Sequence, residues 1–317
     1  MEWTHAGEAP PTTPYPAYAR VLAAVVALAV TLFTADVALA LLARGLGLTA
    51  AAAVLGALPL LALFALYAIA PRALTAGVKR VAPGVDLADE GAFFAVALLA
   101  TALYAIYGLS VLIESALFIE APGASPLGGE VTLSSDALLM GLVLNGVLLL
   151  APPLAWIVFV NRRRVDEVPA ALDLTTRKLG VSLALGAGTA VAVIVAFALV
   201  VTALLAAGVV LPENEQAVAI ARALSIPAAL AVAVGSSVTE EVFYRGFLLK
   251  RVGILAQAAL FAVAHVSYGN LVQLVVTFAL GVVFALLVRR TGNLMAPIAA
   301  HFTFNAIMLL AERFATT

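Results

Sequence analysis

Apolar stretches of about 20 residues recur along this chain, at 21–43, 47–70, 91–113, 137–160, 179–210 and 226–249, and again at about 253–268, 270–288 and 293–312. Wound as a helix, about 20 such residues cross the hydrocarbon core of a bilayer. Inside lipid every backbone N–H and C=O must be satisfied by the protein itself, and a helix does this within one segment. The pattern therefore predicts an all-α, polytopic integral membrane protein with about nine transmembrane helices. Composition agrees: 64% of the 317 residues are hydrophobic and 11% charged, with a mean hydropathy of +1.12, against a soluble average of roughly 45–50% apolar and about 25% charged. Interruptions such as Pro59, Pro152 and Pro153 are tolerated where neighbouring groups satisfy the freed backbone.

Lys and Arg choose the orientation. The connection at 71–90 carries Arg72, Lys79 and Arg80, and that at 161–178 carries Arg162, Arg163, Arg164, Arg177 and Lys178. With nine spans these fall on one side together with Arg20, Lys250, Arg251, Arg289 and Arg290, while Arg44, Arg222 and Arg313 fall on the other. The connection at 114–136 holds Glu114, Glu120, Glu130 and Asp136 and no basic residue. The basic side is read as cytoplasmic, which places the amino terminus in the cytoplasm and the carboxyl terminus outside, in a prokaryotic cell membrane. Residues 1–19, polar and rich in proline, lack the pattern of a cleaved signal and are expected to form a disordered or interfacial tail, with Trp3, Tyr15 and Tyr18 suited to the headgroup level.

Other classes drop out. A net charge of −1 offers nothing to nucleic acid, and the absence of cysteine removes disulfides, thiolate metal sites and a cysteine nucleophile. No repeat of 20 to 50 residues and no symmetry between halves of the transporter kind is visible. Segments one to five are nearly free of ionisable groups, with Asp36 the exception; the last segments carry a polar cluster.

That cluster begins with Glu240 and Glu241 in an otherwise apolar stretch, followed by Arg245. Ionisable groups at bilayer depth cost several kcal/mol, so their concentration in neighbouring segments marks a site. Glu241 and Arg245, four apart, share a helix face and pair; Glu240 is rotated by about 100° and faces elsewhere. Two of the three histidines follow, His265 in Phe261-Ala262-Val263-Ala264-His265 and His301 in His301-Phe302-Thr303-Phe304-Asn305, where Asn305 shares the His301 face. Pro297, four residues before His301, removes a backbone donor and favours a kink there. These groups fit cleavage of an amide by water. Glu240 is the candidate general base, His265 a second holder of the water, and His301 and Asn305 the donors to the oxyanion, with Glu241 and Arg245 in support.

The three elements resemble the CPBP family of intramembrane proteases, which includes the type II CaaX prenyl endopeptidases and bacteriocin-processing or immunity relatives. The family pattern of Glu-Glu-x-x-x-Arg, Phe-x-x-x-His and His-x-x-x-Asn/Asp is intact here in order, over roughly residues 226–312. The resemblance implies a glutamate-dependent endopeptidase core at 226–312 with a cavity open to the cytoplasmic side. In it Glu240 and His265 handle the water, and His301 with Asn305 forms the oxyanion hole. Its expected partners are the lipid bilayer and a peptide or membrane-protein substrate, of which CaaX-type prenylated peptides are one class. Residues 20–225, a five-helix region, inherit nothing from it.

Alternatives are a non-catalytic immunity or scaffold protein and a proton-coupled transporter, the latter disfavoured because the polar groups sit in so few segments. Zinc held by Glu240, His265 and His301 is the alternative to a route that needs no cofactor; those ligand types suit zinc, but no His-Glu-x-x-His motif is present. Gly235-Ser236-Ser237 lacks the nucleophile-elbow pattern of a serine hydrolase, and Gly186-Ala187-Gly188-Thr189 lacks the aspartate of an aspartyl protease.

Overall fold

The computed structural model describes residues 17–43, 45, 47–111, 135–211, 214–266 and 271–315. Residues 1–16 of the expected tail and Glu114, Glu120 and Glu130 lie outside them. Among the described residues there is no strand. The helices are α1 (Ala17–Ala43), α2 (Gly47–Ile69), α3 (Pro71–Val81), α4 (Glu90–Leu103, passing into a π-helical segment Tyr104–Val111) and α5 (Ser135–Ala155, ending in a π turn Trp156–Val160). They continue with α6 (Leu179–Ala206), α7 (Glu215–Ala223), α8 (Ile226–Glu241, passing into a π-helical segment Val242–Leu248), α9 (Leu249–Val263), α10 (Leu271–Thr291) and α11 (Met295–Ala315).

Local chemistry sets several of the starts. Asp89 Oδ1 accepts from the Ala92 amide at 2.8 Å to cap α4, and Ser225 caps α8 by accepting from Ala228, with Pro227 in the first turn; each satisfies an amide that has no partner inside the helix. Pro59, Pro152 and Pro153 lie inside α2 and α5. Large apolar side chains such as Val191, Val195 and Leu199 of α6 face outward, a surface suited to lipid and not to water.

Among the described residues eight helices are long and apolar enough to cross a membrane, so the protein is an all-α, multi-pass membrane protein. The difference from nine predicted segments lies at one residue. The sixth and seventh segments follow each other without a loop over Ile226–Val263 and are separated at Gly253, whose φ of 80° and ψ of 178° are non-helical. That region is open essentially to glycine alone. In a continuous helix Glu240 and His265 would stand about 37 Å apart, yet their side chains approach to 3.9 Å. The chain therefore folds back at Gly253, and the limb beyond it, ending at Val263, is about 15 Å long, half a bilayer core.

Several of the basic connections meet one another in the fold. Arg162 pairs with Asp89 at 2.9 Å, Lys250 pairs with Asp173 at 2.7 Å, and Asn293 donates to the carbonyls of Thr175 and Arg177. The connections at 82–89, 161–178, 250–251 and 291–295 thus gather at one end. At the other end Arg313 donates to the Leu224 carbonyl and Ser135 to the Ala223 carbonyl. Asp36 is exposed on α1.

The principal core, built on Phe243, Tyr244, Phe247, Phe261, Leu280, Phe284 and Ala300, lies around the polar cluster. Small residues let helices close on it. A Cβ at Gly186 of α6 would lie 2.2 Å from the Ala296 carbonyl oxygen of α11, so only glycine permits this approach. Gly186→Ala should therefore lower the thermal midpoint in detergent, at a cost of about 1–3 kcal/mol. Gly188→Ala, on the same helix with open space around the position, should leave the midpoint where it is or raise it slightly.

Candidate functional site

α8 is apolar before the glutamates, and its hydroxyls are absorbed by its own backbone: Ser236 donates to the Val232 carbonyl at 2.8 Å and Ser237 to the Ala233 carbonyl at 2.5 Å. This is how a hydroxyl is accommodated in an apolar helix. Glu240 and Glu241 end α8, and the π-helical segment starts at the next residue. Such segments recur at functional sites because they re-aim side chains within a helix.

Glu241 is fully buried. Its Oε1 accepts from Arg245 Nη1 at 2.7 Å and from His301 Nδ1 at 2.8 Å. An ionised carboxylate only accepts, so the imidazole must be the donor. Arg245 is likewise fully buried, and its Cζ lies 4.2 Å from the Phe261 ring centroid and 5.4 Å from that of Phe284. The guanidinium is thus held by one carboxylate and by aromatic faces, a favourable environment for a desolvated cation. Through His301, Glu241 ties α8 to α11 at the site.

Glu240 points differently, as the 100° rotation requires. Its Oε2 is buried and has no hydrogen-bond partner among the described residues; it lies 3.9 Å from His265 Nε2 and 3.9 Å from His301 Nε2. Both distances exceed a direct hydrogen bond. His265 Nδ1 sits 2.8 Å from the Phe261 carbonyl oxygen. A carbonyl can only accept, so Nδ1 carries the proton and, in the neutral ring, Nε2 carries the lone pair. Glu240 Oε2 and His265 Nε2 are then two converging acceptors, an arrangement that the two protons of one water satisfy. Phe261, with its ring 4.7 Å from that of His265 and 6.0 Å from that of His301, forms a wall of the site.

Asn305 is one helical turn beyond His301 along α11, and its Nδ2 donates to Ser236 Oγ at 3.2 Å. Ser236 in turn precedes Glu240 by four residues. Glu240, Glu241, Arg245, His265 and His301 therefore form one cluster, and Asn305 stands at its next layer. Three features were not foreseen: the His301–Glu241 hydrogen bond, the Ser236 contact and the π-helical segment. Only Ser236 left a trace in the sequence, through its four-residue spacing from Glu240.

Metal binding can be tested on the donors themselves. Glu240, His265 and His301 are suitable types, and each imidazole uses Nδ1 elsewhere and has Nε2 3.9 Å from Glu240 Oε2. Ligand atoms in a tetrahedral zinc site lie roughly 3.3 Å apart, given bonds of about 2.0–2.1 Å, which is closer than the 3.9 Å found here. Among the described residues no group of three or more such side chains closes on a metal. As placed, the donors do not fit zinc.

Residues 222–307 match the family model described as Type II CAAX prenyl endopeptidase Rce1-like. Among curated proteins, the uncharacterized protein YpbD of Bacillus subtilis (strain 168) is 29% identical over 91 residues, covering 28% of this chain and 48% of that protein. The chain thus spans about half the length of the curated relative it matches. No solved structure matches it. The matched stretch holds all three motifs and every side chain of the cluster, so the similarity of this multi-pass membrane protein to the Rce1-like family falls on the part of the chain that builds the site.

Proposed function

We propose that the protein is an intramembrane endopeptidase in which Glu240 activates a water that His265 also holds. The observation that carries this reading is the position of Glu240 Oε2: buried, without a protein partner among the described residues, and equidistant at 3.9 Å from two imidazole Nε2 atoms. A water donating to Glu240 Oε2 and His265 Nε2 has its oxygen lone pair free for a peptide carbonyl carbon. As the new C–O bond forms, the water's proton passes to Glu240 and the carbonyl oxygen takes the negative charge. Glu240 then delivers that proton to the amide nitrogen as the C–N bond breaks.

His301 and Asn305 supply the oxyanion donors in this scheme. His301 gives its Nδ1–H to Glu241 and, when its Nε2 also carries a proton, donates from that atom. Asn305 uses one N–H on Ser236 and has a second to offer. Glu241 and Arg245 touch no reacting atom and hold His301 in place. No metal enters the scheme, and the core is taken as residues 226–312.

The substrate class follows from the setting. The site lies among membrane-spanning helices, with Glu240 about 15 Å along its helix from Lys250 and the basic end. Peptides or membrane proteins that reach it from that side are the substrates, CaaX-type prenylated peptides among them. The positive-inside bias makes this the cytoplasmic face.

Purified protein in liposomes with a membrane-associated peptide substrate provides the test. Glu240→Gln and His265→Ala should each lower kcat by about 10² to 10⁴ with little change in thermal midpoint; undiminished cleavage by both would overturn the proposal. Asn305→Ala should cost about 10² to 10³ in rate. Arg245→Met, by contrast, takes the guanidinium from the buried Glu241 carboxylate and should destabilise the fold by about 3–5 kcal/mol. Cleavage should survive 1,10-phenanthroline and EDTA; loss on chelation with recovery on adding zinc would replace the metal-free route.

A further inference from the structure

The matched domain does not contain all of the contacts that shape its site. Tyr107, in the π-helical segment that continues α4, lies outside residues 222–307, yet its hydroxyl is 3.1 Å from the Leu260 carbonyl oxygen and 3.0 Å from the Tyr244 hydroxyl. One hydroxyl has one proton. A carbonyl can only accept, so Tyr107 donates to Leu260 and the Tyr244 hydroxyl must donate to Tyr107.

Both partners are next to the reacting groups. Leu260 and Phe261 belong to the last turn of α9, where carbonyls run out of intrahelical donors. His265 Nδ1 takes the Phe261 carbonyl at 2.8 Å and the His265 amide takes the Ala262 carbonyl at 2.9 Å. The Leu260 carbonyl, which already accepts from Ala264 at 3.0 Å, receives Tyr107 as a second donor. Tyr244 belongs to the π-helical segment directly after Glu240 and Glu241, and its ring packs edge-on against Phe261 at 5.0 Å. One hydroxyl from the amino-terminal half therefore ties the glutamate helix to the end of the helix that presents His265. Two π-helical segments meet at that contact.

We infer that Tyr107 is a positioning residue of the site: it fixes the end of α9 relative to the Tyr244 turn, and so sets where His265 Nε2 stands with respect to Glu240 Oε2. This assigns work to the amino-terminal half and rests on the peptidase reading for its kinetic consequence. Tyr107 also lines an apolar cavity with Gly56, Pro59, Leu60 and Tyr104, and Tyr107→Phe keeps the ring and removes the hydroxyl alone.

The test uses full-length protein with isotope-labelled histidine, in which the imidazole resonances of His265 and His301 are read alongside kinetics. Tyr107→Phe should shift the His265 signal and leave that of His301 in place. It should lower kcat by roughly 3- to 10-fold, the rate equivalent of one neutral hydrogen bond, with KM unchanged. A His265 signal that does not move overturns the inference whatever the rate does. Should Tyr107→Phe fail to fold, Tyr244→Phe removes the hydroxyl that donates to Tyr107 and is read the same way: a smaller His265 shift is expected, and none overturns it. Wild-type protein that cleaves nothing would sink the peptidase reading alone, because the His265 resonance still decides the role of Tyr107.

Discussion

Everything at the centre of this molecule hangs on one carboxylate oxygen. Glu241 Oε1 accepts from both Arg245 and His301 with no solvent in contact, so a helix, its π-helical continuation and α11 are bound at a single point. Replacing such a buried pair by well-packed apolar groups is often neutral or stabilising, so its worth is geometric more than energetic. It turns the His301 ring so that Nε2 faces Glu240.

Aromatic packing makes the anchor tolerable. Phe261 lies over Arg245 and also against both histidine rings, so the same side chain shields the cation and shapes the cavity. Charge in a low-dielectric setting is strongly felt by its neighbours. Placing an ionised pair beside a second carboxylate and two imidazoles concentrates that influence where proton transfer is proposed. The fold-back at Gly253 completes the arrangement by returning the chain to the depth it had left 13 residues earlier.

Much of this was legible without coordinates. The apolar segments are long enough that lipid leaves them no alternative to helix, and Lys and Arg mark the connections that Arg162–Asp89 and Lys250–Asp173 then hold at one end. The four-residue spacing of Glu241 and Arg245 predicts a pair on one helix face, because helix periodicity is a local rule. Tyr107 carried no such signal. It lies 137 residues from Tyr244 and 153 from the Leu260 carbonyl it reaches, and no periodicity relates positions so distant. The fold-back at Gly253 was not legible for a related reason: a glycine within an apolar run marks either packing or a turn, and only its φ of 80° decides.

The sequence by itself determined that the chain is a helical membrane protein, which basic connections share one end, and which ionisable residues stand out in its apolar segments, since hydrophobic length, charge bias and motif spacing are properties of short stretches. Tertiary structure alone decided how those residues meet. It placed Glu240 3.9 Å from both imidazoles, gave His301 to Glu241, set Asn305 on Ser236 one layer away, and brought Tyr107 from outside the matched domain to the end of α9. Such contacts depend on helices touching across long stretches of chain, where side-chain volume and the reach of single hydroxyls and carboxylates choose among packings that the pattern of apolar residues leaves equivalent.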